Sequence, residues 1–490
     1  MHSSVATRRA RAGLLLGLLL VALAVAGSVL RGDGPAPGVP LVPTPPGEED
    51  GGEPFADPFA YDADREAEFV RRAAAGTSHL LYIRSPGGAT ATARRVARWR
   101  PQVEAAAREA GMPADLVEGL VFLESAGRED AMAGGTEGAV GLTQILAETA
   151  QNLLGMRVDV TRSARLTAAI ARAQARGRGD RVARLAARRR AVDERYDGTR
   201  ALAGTARYLL FAREQLGRRD LALAAYHMGV GNLQEVIALS GEEEPSYAQL
   251  YFEATPARNP QVQARLASFG DDSSTYLWKV HAAAEIMRLY RRDPSGLARL
   301  ESLHAHKNSA EEVLHPPGVT PSFATPESLE AAWDEGAVRA FPARARITGL
   351  ARDPTMGELA GALGVPRGMY RGLRPGALAM ALYIGAQVRA YAGGDSPLLV
   401  TSTVRDEEYQ RLLVDRNREA TRRYSLHTTG WAFDVARSYR SGRQAQAFQF
   451  VLDRLQVLNA IAWVREPDAI HITVSRDAEA LEPLLERLGP

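Results

Sequence analysis

Met112-Pro113-Ala114-Asp115-Leu116-Val117-Glu118-Gly119-Leu120-Val121-Phe122-Leu123-Glu124-Ser125 is the stretch on which the first half of the chain turns. A proline at the opening and Asp115 in the first turn are helix-start signals: the missing N–H is one a first turn leaves idle, and the acid faces the positive end of the helix dipole. Apolar residues then recur at three- and four-residue spacing, which predicts a helix with Leu120 and Val121 on its buried stripe. Glu124 falls on that stripe. A carboxyl in apolar surroundings has a raised pKa and keeps its proton near neutral pH, as a general acid must. The bland reading is a solvated helix-end glutamate, and the helix alone does not exclude it.

Outward from this segment the text is helical from Val96 onward, and two further segments bear on Glu124. Gly138-Ala139-Val140-Gly141-Leu142-Thr143-Gln144-Ile145 follows shortly. Ala224-Ala225-Tyr226-His227-Met228-Gly229-Val230-Gly231-Asn232 closes a helix expected from about Thr199. Glu-Ser, then Gly-Ala-x-Gly-Leu-x-Gln-Ile, then Ala-Tyr-x-x-Gly-x-Gly-Asn resembles the soluble lytic transglycosylases, lysozyme-like enzymes that cut the glycan strands of peptidoglycan. The resemblance covers residues 95–295 and implies a mainly α lysozyme-like domain over 61–295 that works without a cofactor. It implies that Glu124 is a single catalytic acid acting between N-acetylmuramic acid and N-acetylglucosamine and giving 1,6-anhydro products. Most glycosidases use two carboxylates instead. It also implies that Ser125, Gln144, Tyr226 and Asn232 serve substrate binding, Tyr226 close to the glutamate and Asn232 as a loop brace. The chain departs from the family pattern at Gly127, where an aromatic is usual, and at His227 and Met228, where Asn and Ala are usual.

Between these motifs, Arg162 to Arg195 carries arginines against only Asp180, Asp193 and Glu194. Over 157–195 it reads as a basic helical insertion, either solvated or touching anionic wall polymer or headgroups. Prolines without a sustained period then mark 296–340 as a linker.

Past the linker the texture becomes mixed. Leu398 to Val404 and Ala469 to Val474 are β-branched runs that predict strands. His427 and Asp434 stand seven apart around Gly430, and His471 is centred in an apolar strand, costly for a polar ring unless bonded or metal-bound. Two histidines and one aspartate leave a fourth position of a tetrahedral zinc open. Ser425-Leu426-His427-Thr428-Thr429-Gly430-Trp431-Ala432-Phe433-Asp434 resembles the Ser-x-His-x-x-Gly-x-Ala-x-Asp pattern of the zinc D-alanyl-D-alanine carboxypeptidases and endopeptidases. That resemblance implies a smaller α+β domain over 341–490, zinc held by His427, Asp434 and His471, and Arg405 as the substrate-orienting cation. The family base is a glutamate three residues before the last histidine, where this chain has Asp468. Glu466 is the expected base, with Asp468 as its rival, and the peptide bond that is cut stays open.

At the other end, Arg8, Arg9 and Arg11 precede an uncharged apolar run from Gly13 to Leu30. Basic residues before an apolar run mark an export signal, so residues 1–30 are expected to be a cleaved signal peptide or a membrane anchor. Residues 31–60, rich in Pro and Gly, read as an extended linker. The expected place is the bacterial periplasm or cell envelope, and the expected partners are peptidoglycan and, with an uncleaved anchor, the membrane. The 490 residues suit an α+β multidomain chain, and a net charge of +2 gives no global field for nucleic acid. Absence of cysteine excludes disulfide-linked partners, thiolate metal sites and a lipidated N-terminal Cys. Together the two regions read as a bifunctional peptidoglycan hydrolase. The alternative is a wall-binding scaffold with one or both sites inactive.

Overall fold

The structure, a computed structural model, describes residues 56–306, 310–341, 348–394, 396–416 and 424–488. The expected signal or anchor at 1–30 lies outside the described residues, as does all but the end of the 31–60 linker. Among the described residues no helix is long and apolar enough to cross a membrane.

The elements that position the chemistry are labelled in chain order. Helices α1 (Glu66–Thr77), α2 (Arg100–Ala110) and α3 (Ala114–Ser125) lead to a two-stranded hairpin, β1 (Met132–Ala133) and β2 (Ala139–Val140). Helices α4 (Val160–Gln174) and α5 (Gly179–Val192) form the basic hairpin, and α6 (Gly198–Leu216), α7 (Arg219–Met228) and α8 (Tyr276–Arg292) complete the helical body. The single helix expected from Thr199 to the tyrosine motif is two: Gly217, at φ 76°, caps α6 before α7 begins. Only glycine adopts that left-handed cap at little cost, so the chain turns there.

Val117, Leu120, Val121 and Phe122 of α3 are buried, each such side chain contributing about 1.5–3 kcal/mol by leaving water. Glu118, on the same helix and fully buried, is held by Arg100 at 2.8 Å, so its charge is not left unpaired. α8 lies along α3, bringing a tyrosine at its first turn to the last turn of α3.

Within 296–340, expected as a linker, the described residues include helices. Helix Pro294–His306 continues beyond α8, and short helices Glu311–Leu314 and Pro326–Asp334 follow, with Leu297, Glu312 and Leu329 buried. Pro326 stands at the start of one of those helices, where proline is tolerated, while Pro316, Pro317 and Pro321 fall between helices.

The C-terminal region is α+β. Strands β3 (Leu350–Arg352), β4 (Leu398–Ser402), β5 (Ala432–Ala436), β6 (Ile461–Arg465) and β7 (Ala469–Val474) form one sheet in the order β3-β4-β5-β7-β6. The first pair is parallel and the rest antiparallel. Helices α9 (Pro375–Ala392) and α10 (Gly442–Val457) pack on each other and carry apolar residues continuous with the buried core of the helical body. The Arg454 guanidinium of α10 lies 4.3 Å from the Tyr251 ring centre and donates to the carbonyls of Tyr251 at 2.6 Å and Ala254 at 3.0 Å. At the same seam, α1 meets α10 so closely that a Cβ on Gly76 would stand 2.2 Å from the Gln456 carbonyl oxygen.

Candidate active site

Glu124 closes α3, and Ala126, in the left-handed region at φ 54°, ends the helix right after it. Glu124 is half-buried, and burial pushes its pKa up to about 7. The Tyr276 hydroxyl, donating to Glu124 Oε1 at 2.5 Å, opposes that rise, and the nearby Asp272 charge adds to it. Lys279 Nζ holds Asp272 at 2.7 Å, so Asp272 is committed to an ion pair.

Tyr226, at the end of α7, donates to the Thr143 carbonyl at 2.7 Å, and burial together with the Glu124 charge pushes its own pKa far up. The phenol therefore stays neutral beside the acid. Gln144 sits in the left-handed region at φ 50°, its Nε2 donating to the Gly141 carbonyl at 2.8 Å. A non-glycine residue held there costs on the order of 1–3 kcal/mol, and such strain gathers where function fixes a backbone. Tyr226 thus bonds the residue next to Gln144 in one loop.

Ser125 is buried, its hydroxyl bonded back to the Val121 carbonyl at 3.3 Å, so it braces the helix end. Asn232 bridges the Met228 carbonyl and the Arg265 guanidinium, both at 2.8 Å, and ties a loop. His227 stacks on Tyr276 with ring centres 5.0 Å apart and bonds Ser273 Oγ through Nδ1 at 2.9 Å.

Gly127 has a physical reason. At φ 75° it is left-handed, and a Cβ there would come within 2.8 Å of the Val96 backbone nitrogen. An aromatic cannot stand in that space. Tyr276 is the residue that sequence reasoning passes over: it lies in a segment legible as the domain's closing helix, with no motif around it.

A second constellation forms in the C-terminal sheet. Asp434 on β5 and His471 on β7 are directly opposed in the antiparallel register. His427, on the turn Leu426–Thr429, completes it, with Nε2 3.2 Å from Asp434 Oδ2, while His471 Nδ1 donates to Asp434 Oδ1 at 2.9 Å. All three are buried and their donor atoms lie within 4.8 Å of one another. His427 Nδ1–H donates to the Thr403 carbonyl at 2.8 Å, which leaves Nε2 as the free lone pair. Burial alone would raise the Asp434 pKa, but His427 and His471 hold it well below the carboxylate range.

Arg405 Nη2 is 3.5 Å from Asp434 Oδ2 and bonds Ser402 Oγ at 2.6 Å. A pocket of about 280 Å³ opens between Arg405, Asp434, Glu466 and Asp468. Burial first, and then the Asp434 charge, raises the Glu466 pKa. Glu311, from the stretch expected as linker, reaches His471 Nε2 at 3.4 Å. No sequence pattern marks it, because its partner lies 160 residues away.

Residues 101–249 match the family described as the Transglycosylase SLT domain. The match takes in Glu124, Gln144 and Tyr226, stops before Tyr276, and ends well ahead of the His427 constellation. No curated protein matches the chain. An SLT domain supports lytic transglycosylase activity with peptidoglycan as substrate.

Proposed function

We propose that this SLT-bearing chain is an exported enzyme that cleaves the bond between N-acetylmuramic acid and N-acetylglucosamine without water. The observation that carries the reading is the Glu124 carboxyl, held near pKa 7 beside a single tyrosine donor. Protonated, Glu124 gives its proton to the glycosidic oxygen as the C1–O bond breaks and the N-acetylglucosamine hydroxyl leaves. The resulting carboxylate then takes the proton of the muramoyl 6-hydroxyl as that oxygen attacks C1, closing the 1,6-anhydro ring and restoring the acid. Matching the acid's pKa to the working pH serves both halves of this cycle. Asp272, paired with Lys279, is not free to act as a nucleophile. Tyr276 occupies Oε1 and so steers the labile proton to the other oxygen.

Digestion of purified sacculi tests this. 1,6-Anhydromuropeptides from wild type and none from Glu124→Gln are expected. Their absence from wild type, or persistence in the variant, overturns it.

For the C-terminal constellation we propose a zinc-dependent peptidase acting on stem peptides or cross-links. The donor set fits: two imidazoles and a carboxylate converge, and His427 has its tautomer fixed by a backbone carbonyl. Zinc, when bound, supplies a Lewis acid and a water of lowered pKa. His427, Asp434 and His471 hold it. Glu466 accepts and returns a proton at its carboxylate, and Arg405 presents a buried cation to a substrate carboxylate or carbonyl oxygen. Metal analysis decides: zinc in wild type and none in His427→Ala is expected, and equal content in both ends the metal reading.

A further inference from the structure

Beside the end of α3, and distinct from the Glu124 carboxyl, lies a cavity of about 600 Å³ that the proposed cycle does not use. That volume is within the ~300–1,000 Å³ range of pockets that enclose a small ligand. Its walls come from α2, the residues just before it, the 127–130 segment and α5 of the basic hairpin. Arg95, Arg98, Arg128, Arg189 and Arg190 all line it, and Trp99 gives a flat apolar side.

The charges there are not fully spent inside the protein. Arg189 is 7% exposed and lies flat on the Tyr196 ring at 3.6 Å, with Nη1 donating to Thr167 Oγ1 at 3.2 Å. Its Nε is buried with no hydrogen-bond partner, and so is Gln102 Oε1 on the opposite wall. Of the two acids in the lining, Glu129 already accepts from the Gly198 backbone N–H at 2.9 Å. Five guanidinium groups thus line the cavity against the two carboxylates of Glu129 and Asp130, with Arg95 already donating to the carbonyls of Ala126 and Pro86.

We propose that this cavity binds the carboxylates of a peptidoglycan stem peptide, with Asp130 meeting the peptide's side-chain ammonium. The guanidinium fork matches a carboxylate in two parallel bonds. Gly127, Arg128, Glu129 and Asp130 begin three residues after Glu124 in the chain, so the cavity lies at the end of the helix that carries the acid at which the muramoyl sugar bearing that peptide would be cut. A concave pocket suits a short peptide better than a flat membrane surface. The choice of a stem peptide rests on peptidoglycan being the substrate of the SLT domain.

The test uses the full chain and the exposed pair Arg98→Ser/Arg190→Ser, both residues outside the catalytic machinery. Calorimetric titration with a sugar-free stem tetrapeptide is expected to give binding to wild type, weakened about tenfold or more in the double variant at unchanged melting temperature. On glycan strands bearing peptides, the double variant raises KM about tenfold, while peptide-stripped strands are cut equally by both proteins. Equal peptide binding by both proteins overturns the proposal. So does binding of a glycerol-phosphate oligomer in place of the peptide, which would assign the arginines to phosphate. Calorimetry reads the pocket even if no anhydro product forms, so failure of the Glu124 cycle and failure of this site are told apart.

Discussion

The Tyr276 hydroxyl and the Glu124 carboxylate, 152 positions apart in the chain, meet at 2.5 Å. This contact joins the first turn of one helix to the last turn of another and sets the proton affinity of the acid. Burial raises that affinity, and the tyrosine trims it back to about 7.

Tyr276→Phe removes a hydrogen bond to an ionised group, an interaction worth roughly 1.5–3 kcal/mol. Glu124 then titrates higher, and the alkaline limb of the kcat profile moves to higher pH. Turnover on isolated glycan strands falls about ten- to a hundredfold. An unshifted limb in the phenylalanine variant would contradict this role.

Glu124 also carries a stability signature. The folded carboxyl binds its proton below about 7, whereas the ordinary value is 4.5. Across that window the folded state holds more protons than the unfolded, so stability drops as pH rises. Glu124→Gln imitates the neutral acid. Its melting temperature exceeds that of wild type at pH 8, and the gain fades toward pH 4; thermal unfolding across that range checks it.

Restoring an aromatic at position 127 damages the protein. Gly127→Phe forces a left-handed backbone, at about 1–2 kcal/mol, and drives a side chain into the Val96 backbone. A lower melting temperature and weaker glycan cleavage are expected. A variant as stable and active as wild type would refute the packing argument.

In the C-terminal pocket, Glu311→Gln is expected to weaken zinc about ten- to a hundredfold, as loss of a carboxylate behind a ligating histidine does. Chelator competition reads this without any peptidase assay, and unchanged affinity would free Glu311 of the role.

Glu466→Ala abolishes peptide cleavage while Asp468→Ala leaves most of it. The reverse pattern would assign the base to Asp468, whose carbonyl already accepts the Arg437 backbone N–H at 2.9 Å.

What was legible in the sequence follows a physical divide. Residues placed by neighbours a few positions away could be located: Glu124 on its helix, Gln144 in its glycine-flanked loop, His427 and Asp434 around one turn. The strand Ala469–Val474 was read to its ends because β-branched residues run through it. Contacts closed by tertiary packing were not legible. Tyr276 and Glu311 reach their partners only after helices have docked, and Ser125 turned out to bond its own helix. The prolines of 296–340 suggested a connector, yet one of them, Pro326, opens a helix, and other helices precede them.

The seam between α1 and α10 bears on how such a chain can change over generations. Gly76 admits the Gln456 carbonyl, and Arg454 is spent on the carbonyls of Tyr251 and Ala254. A fragment cut near residue 296 would expose an aromatic face and strand those carbonyls. Recombination that swapped in another C-terminal half would have to supply a matching arginine and tolerate the glycine notch. The seam therefore makes each half depend on the other's shape, so that a change on one side must be met on the other.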